Sequence, residues 1–228
     1  LRSDKPAVDI PEHIVEVISD SGEGAQRCGQ SLAAIAARSG NGIWTVEIIP
    51  AEIQPPARSV AGASGIRIRI GSKRVTNGGD QTDLVVAFNE QVLLGRVKAG
   101  ELKKGATIIL ESMWREHADP AIAASYANTV TALREGGFHL IEAPLERECR
   151  KLVADARKGK NMFVLGMLCS IYSLDLGLAR AQIALIFGKK DEKVIASNVK
   201  LMQAGFAWAE QQLDFKYRIP AAKITEPQ

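Results

Sequence analysis

The chain has 228 residues, long for one domain and short for two, with 46% hydrophobic and 24% charged residues and a formal net charge of +3. That composition suits a soluble globular chain with a sizeable core. The small, dispersed basic excess gives no footing for nucleic acid or a membrane surface, and no apolar run approaches the ~20 residues that span a bilayer. Residues 1–13 lack the apolar centre of a secretory signal, so a cytoplasmic location is expected. Cys28, Cys149 and Cys169 form no CxxC pair and read as ordinary thiols in a reducing compartment. His13, His117 and His139 stand alone. No catalytic or metal-ligating set is expected.

Residues 1–12 read as a flexible lead-in. From residue 14 the chain alternates like a strand, passes through Ser19-Asp20-Ser21-Gly22-Glu23-Gly24, and becomes an alanine-rich amphipathic helix to residue 39. A strand running through glycines into a helix start brings backbone N–H groups and the positive end of the helix dipole against an anion. The same glycines equally serve a tight βα turn. The loop is not the full dinucleotide fingerprint, because serines stand where its first glycine falls.

After a turn at Gly40 and Gly42, residues 43–49 read as a largely buried strand. Residues 50–65 hold three prolines and many small residues and are expected to be irregular. Ile66-Arg67-Ile68-Arg69-Ile70 alternates strictly, which predicts a strand with one apolar face and an arginine face engaged by solvent or carboxylates. Residues 83–89 form a buried strand ending in Asn89. At the carboxyl end of a parallel strand Asn89 faces the edge where open α/β sheets bind ligands; as a turn residue it needs no ligand.

The pattern continues with a helix over 90–97, a strand over 106–111, a helix over 119–135, a strand over 139–143 and a helix over 146–157. A charge-free apolar helix over 162–174 follows, packed inside the domain or against a partner. Helices over 175–187 and 192–212 close the domain, and residues 214–228 read as a linker or C-terminal arm. The order predicts an α/β fold: a three-layer domain over residues 13–213 with a mostly parallel, Rossmann-like sheet and a helical C-terminal part.

Four stretches in order resemble the gamma domain of the 2-oxoacid:ferredoxin oxidoreductases, closest to the N-terminal domain of the 2-oxoglutarate:acceptor oxidoreductase alpha subunit. They are Gly22-Glu23-Gly24-Ala25 after the opening strand; Pro50-Ala51-Glu52-Ile53 through Pro55-Pro56-Ala57-Arg58-Ser59 to Gly65; residues 83–89; and Lys160-Asn161-Met162 with Asn198 and Gly205 beyond. Ser19, Ser21 and the Pro-Pro-Ala-Arg segment depart from the glycines common in the family.

The resemblance implies a subunit or domain of an enzyme that decarboxylates a 2-oxoacid on thiamine diphosphate, passes electrons through iron–sulfur clusters to ferredoxin, and leaves the acyl group on coenzyme A. It implies that thiamine diphosphate and the clusters lie on partner subunits or domains only, and that the isolated chain is inactive. The thiamine-associated domain of such an alpha subunit is absent from this sequence, so a separate subunit or a piece is expected, and a homodimer is an option. Gly22, Glu23, Gly24, Arg58, Ser59 and Asn89 become the candidates for coenzyme A contact; a salt bridge or subunit contact is the other reading of Arg58. Two further readings stand beside this one: a self-contained Rossmann-type nucleotide enzyme, and a pure interaction module built on the charge-free helix.

Overall fold

The computed structural model describes residues 5–188 and 191–221. A six-stranded sheet has the order β3-β4-β2-β5-β6-β7, with β2 at Glu12–Asp20, β3 at Gly42–Ile48, β4 at Ala63–Gly71, β5 at Thr82–Ala87, β6 at Leu102–Glu111 and β7 at His139–Ala143. β2, β5, β6 and β7 pair in parallel, whereas β4 runs antiparallel to both β2 and β3. The sheet is thus mostly parallel, as expected.

Alternation along the strands sorts the two covered faces. Val15, Val17, Ile66, Ile68, Ile70, Leu84 and Val86 meet α1 (Ala25–Arg38), α5 (Lys160–Ile171), α6 (Leu176–Phe187) and α7 (Glu192–Gln212). Val85, Ala87, Ile108 and Leu110 face α2 (Glu90–Lys98) and α3 (Pro120–Glu135). The arginine face of β4 turns toward the α2 side. There Arg67 is buried and pairs with the buried Glu16 at 2.9 Å and with Glu101, while Arg96 reaches Glu16 at 2.7 Å. Burial opposes the charge on Glu16, but the Arg96 hydrogen bond and the Arg96 and Arg67 charges outweigh it and hold the carboxyl below its ordinary range.

α5 is buried along its whole length, from Lys160 to Ile171. It crosses α7 closely enough that a Cβ on Gly166 would lie 1.8 Å from the Met202 carbonyl oxygen, and one on Gly205 1.8 Å from that of Phe163. Its apolar surface is therefore used inside the fold, which removes the feature that suggested a pure interaction module.

Three expectations need correction. β3 is an edge strand, and Trp44 and Val46 are exposed, because β4 inserts between β2 and β3. The helix expected over 146–157 stops early: α4 covers Leu145–Arg150, and the chain turns through a short 3-10 segment at Ala156–Lys158 so that Gly159 can start α5. α5 itself ends at Ile171, since Ser173 takes a left-handed conformation (φ 54°) and Asp175 caps α6. The expected lead-in and arm meet each other: β1 (Val8–Asp9) pairs in parallel with β8 (Tyr217–Arg218), and Arg218 bridges Asp9 at 2.6 Å. Residues 1–4 and 222–228 of those two segments lie outside the described residues.

Candidate functional site

β2 and β5 are adjacent and parallel, yet the helices that follow them go to opposite faces, α1 to one and α2 to the other. Open α/β sheets present their ligand crevice at such a reversal, outside the carboxyl ends of the strands. The loop Ser21–Gly24 and the Phe88-Asn89-Glu90 corner are the two lips of this point.

On the α1 lip, Gly22 and Gly24 have φ values of +88° and +85°, which an L side chain rarely adopts. Gly24 is the N-cap of α1, no side chain caps the first turn, and that turn carries no acidic residue. By contrast α2, α3, α6 and α7 are capped by Asn89, Asp119, Asp175 and Asp191. The first-turn N–H groups of α1 thus face a cleft of about 610 Å³ that also meets Arg27, Arg157, Lys158 and Asn161.

Two residues from the start of α5 complete this lip. Lys160, 1% exposed, donates to Glu23 Oε1 at 3.1 Å, approaches Glu146 Oε2 at 3.8 Å and sits 5.2 Å from the Phe88 ring centroid. Glu23 also accepts from the Asp20 N–H at 3.3 Å, so its charge is spent holding the loop. Asn161, 7% exposed, accepts from the Met162 N–H through Oδ1, and its Nδ2 donates to no described residue. That Nδ2 would lie 2.5 Å from a Cβ on residue 24.

Behind Lys160 stands Glu111, fully buried at the end of β6, which accepts from the Met113 and Glu146 N–H groups at 3.0 and 2.8 Å. Burial pushes its carboxyl up to about 7, against the Lys160 charge and those two N–H groups. Burial likewise pushes the Cys169 and Cys149 thiols up to about 12, so neither is a ready nucleophile.

The structure brings Gly22, Glu23 and Gly24 to the cleft and keeps Arg58, Ser59 and Asn89 at the neighbouring switch point. Arg58, with a left-handed backbone (φ 53°), donates its N–H to Asp20 Oδ2 at 2.9 Å, ion-pairs with the buried Glu90 and lies 4.6 Å from the Trp114 ring centroid. Ser59 Oγ donates to the Pro56 carbonyl and accepts from the Gly62 N–H. Asn89, fully buried, caps α2 by accepting from the Gln91 and Val92 N–H groups. Four buried atoms along this chain of contacts have no hydrogen-bond partner among the described residues: Asp20 Oδ1, Arg58 Nε, Asn89 Nδ2 and Glu90 Oε2. Sequence reasoning noticed Lys160-Asn161 but gave the pair no role in the site. Its signal was two polar residues opening an otherwise apolar helix.

No helix among the described residues is long and apolar enough to cross a membrane. Comparison with known proteins gives a consistent picture. The chain is 28% identical to 2-oxoglutarate oxidoreductase subunit KorA of Mycobacterium tuberculosis (strain ATCC 25618 / H37Rv), over 92% of this chain and 33% of that protein. It therefore spans about a third of that relative's length. Among solved structures, 2-oxoglutarate:ferredoxin oxidoreductase from Magnetococcus marinus, with 2-oxoglutarate, coenzyme A and succinyl-CoA bound, superposes with a TM-score of 0.73 at 23% identity, over 96% of this chain and 34% of that one. Pyruvate oxidoreductase subunit PORC of Thermotoga maritima superposes with a TM-score of 0.60 at 16% identity, over 87% of this chain and 97% of that one. The keto/oxoacid ferredoxin oxidoreductase gamma subunit of Geobacter sulfurreducens gives 0.59 at 18%, over 86% and 98%. These likenesses agree on one fold, and the profile of pyruvate ferredoxin/flavodoxin oxidoreductases matches residues 16–208, so the chain belongs to that family.

Proposed function

We propose that this chain is the coenzyme A-receiving part of a 2-oxoacid:ferredoxin oxidoreductase of the 2-oxoglutarate kind. Thiamine diphosphate and the iron–sulfur clusters belong to other subunits or domains, which reduce ferredoxin. The chain alone carries out no 2-oxoacid oxidation. The observation that carries the reading is the open N-terminus of α1, framed by Gly22, Gly24 and the Nδ2 of Asn161, which has no acceptor among the described residues. It supplies uncommitted donors where a phosphate oxygen can approach the backbone. Glu23 is neutralised by Lys160 and does not repel an anion. Arg58, Ser59 and Asn89 act beside the cleft by fixing the 50–62 segment and the start of α2.

Family membership and the bound coenzyme A of the Magnetococcus relative support this reading over a self-contained nucleotide enzyme. The test is calorimetric titration of the full chain with coenzyme A, with Asn161→Asp alongside. That isosteric change replaces the donor with a carboxylate. Saturable binding that weakens roughly tenfold or more in the variant is expected, as for an unpaired charge set against an anion. Equal binding by both proteins removes the cleft as the site.

A further inference from the structure

The sheet ends differently on its two sides. β7 closes one side with five residues, and both Arg115 and Arg134 ion-pair with its Glu142. Shortness and charge are ordinary guards on an exposed edge. β3, on the other side, has seven residues in unbroken register with β4 and holds no proline, lysine, arginine or bulge. No described strand pairs with its outer edge, where Trp44 and Val46 are 43% and 44% exposed and the following Ile49 is 71% exposed. A long, apolar, unguarded edge is a template for another strand.

The residues along β3 select that strand. Trp44, Val46 and Ile48 share the face of Arg67 and Arg69, and Gly78 packs there against Val46. Ile43, Thr45 and Glu47 lie on the other face, where Glu47 accepts from Gln30 of α1 at 3.0 Å, and Ile49 follows in the same alternation. A second copy related by a two-fold axis normal to the sheet keeps the faces in common, so antiparallel pairing places the axis at a residue. With the axis at Thr45, Glu47 falls opposite Ile43. At Glu47, two carboxylates oppose each other; at Trp44, Val46 falls opposite Gly42. With the axis at Val46, Val46 meets its own copy, Trp44 meets Ile48, Ile43 meets Ile49 and Glu47 meets Thr45. Every apolar side chain then has an apolar partner and the like charges are staggered. The ladder stops at Pro50, which has no N–H to donate.

We infer that β3 is the interface of a homodimer in which two copies join edge to edge about Val46 into one continuous sheet. A strand edge with so few side chains buries less than the about 1,000 Å² of a lasting interface, so the dimer is reversible. It forms with or without coenzyme A.

Sedimentation velocity of the full chain from about 1 to about 200 µM is expected to show a monomer–dimer equilibrium, half-complete at about 10–100 µM. Val46→Lys sets two cations against each other across the axis and is expected to weaken dimerisation at least about tenfold. Val46 is half-exposed, so the variant keeps its fold, which circular dichroism checks. In this register residue 46 faces its own copy at the about 4.5–5.5 Å Cα separation that a disulfide accepts, whereas residues 45 and 47 do not. Mild oxidation is therefore expected to link Val46→Cys into a covalent dimer and to leave Thr45→Cys and Glu47→Cys unlinked; Cys28, Cys149 and Cys169 are buried. A wild-type chain that stays monomeric at the highest concentration overturns the homodimer and leaves the edge to another subunit. A dimer that a folded Val46→Lys retains at full strength overturns β3 as its interface. Linkage at residue 45 or 47 in preference to 46 overturns the register.

Discussion

Asn161 occupies the space that any side chain on residue 24 would need. The Asn161 Nδ2 lies 2.5 Å, and its Cγ 3.0 Å, from a Cβ built on Gly24, whereas a Cβ on Gly22 meets nothing within 4 Å. Both glycines are left-handed, so alanine at either position carries a backbone penalty of about 1–2 kcal/mol. Only Gly24→Ala also displaces Asn161.

The pair of variants therefore separates strain from packing. Gly22→Ala is expected to lower stability in urea unfolding by about 1 kcal/mol and to keep most of its coenzyme A affinity. Gly24→Ala is expected to cost at least about 1 kcal/mol more and to lose coenzyme A binding. Equal stability in the two variants shows that Asn161 does not pack against residue 24.

The Arg58–Glu90 pair makes a second prediction. Glu90 is fully buried, and Arg58 is its cationic partner as well as a lid over Trp114. Arg58→Ala strands the carboxylate and is expected to cost about 3–5 kcal/mol, whereas removing both charges in Arg58→Met with Glu90→Gln is expected to recover more than half of that. If the double variant keeps wild-type coenzyme A affinity, Arg58 shapes the switch point. A loss beyond tenfold makes it a direct phosphate ligand.

Much of this was legible in the sequence because the strands obey simple periods. Ile66-Arg67-Ile68-Arg69-Ile70 announced its two faces, and residues 192–212 announced α7 to the residue. The status of β3 was not legible, since an apolar run looks the same at a sheet edge as at its centre, and only the insertion of β4 decides. The glycine loop was visible, but its partner Asn161 lies more than 130 residues away and reaches it only through the packing of α5 on α1. Arg58 carried the chemistry of a phosphate ligand. Its engagement by Glu90 is a tertiary fact with no local signature.

Glu111 predicts a pH dependence. Its carboxyl rises from an ordinary value of 4.5 to about 7 in the folded chain, chiefly through burial. The folded state therefore holds this proton more tightly than the unfolded state. The stabilisation is complete below pH 4.5 and is lost as pH rises through 7, about 3 kcal/mol in all. His13 works in the opposite sense: burial lowers its value below 6.5, so it favours the folded state as pH rises through that range. Glu111→Gln isolates the first effect. Losing one acceptor for the Met113 or Glu146 N–H lowers its stability at pH 5, but its fall in urea-unfolding free energy from pH 5 to 8 is expected to be smaller than that of the wild type. Parallel curves for the two proteins refute the Glu111 assignment.

The α5–α7 crossing gives the last prediction, because intrinsic propensity and packing oppose each other there. Replacing a mid-helix glycine with alanine gains up to about 1 kcal/mol where the surface is open. At Gly166 and Gly205 the new methyl group would sit 1.8 Å from a carbonyl oxygen of the facing helix, and neither contact is the end of a flexible side chain. Backbone must move, and the buried apolar surface of Phe163, Met167 and Met202 moves with it. Gly166→Ala and Gly205→Ala are each expected to destabilise by about 3 kcal/mol or more, at the upper end of overpacking in a filled core. Because α5 also carries Lys160 and Asn161 against the glycine loop, the same variants are expected to weaken coenzyme A binding although neither position lines the cleft. Urea unfolding and calorimetry on one preparation read both effects. A gain in stability from either alanine means that the helices do not cross at these glycines, and the placement of Asn161 against Gly24 falls with that crossing.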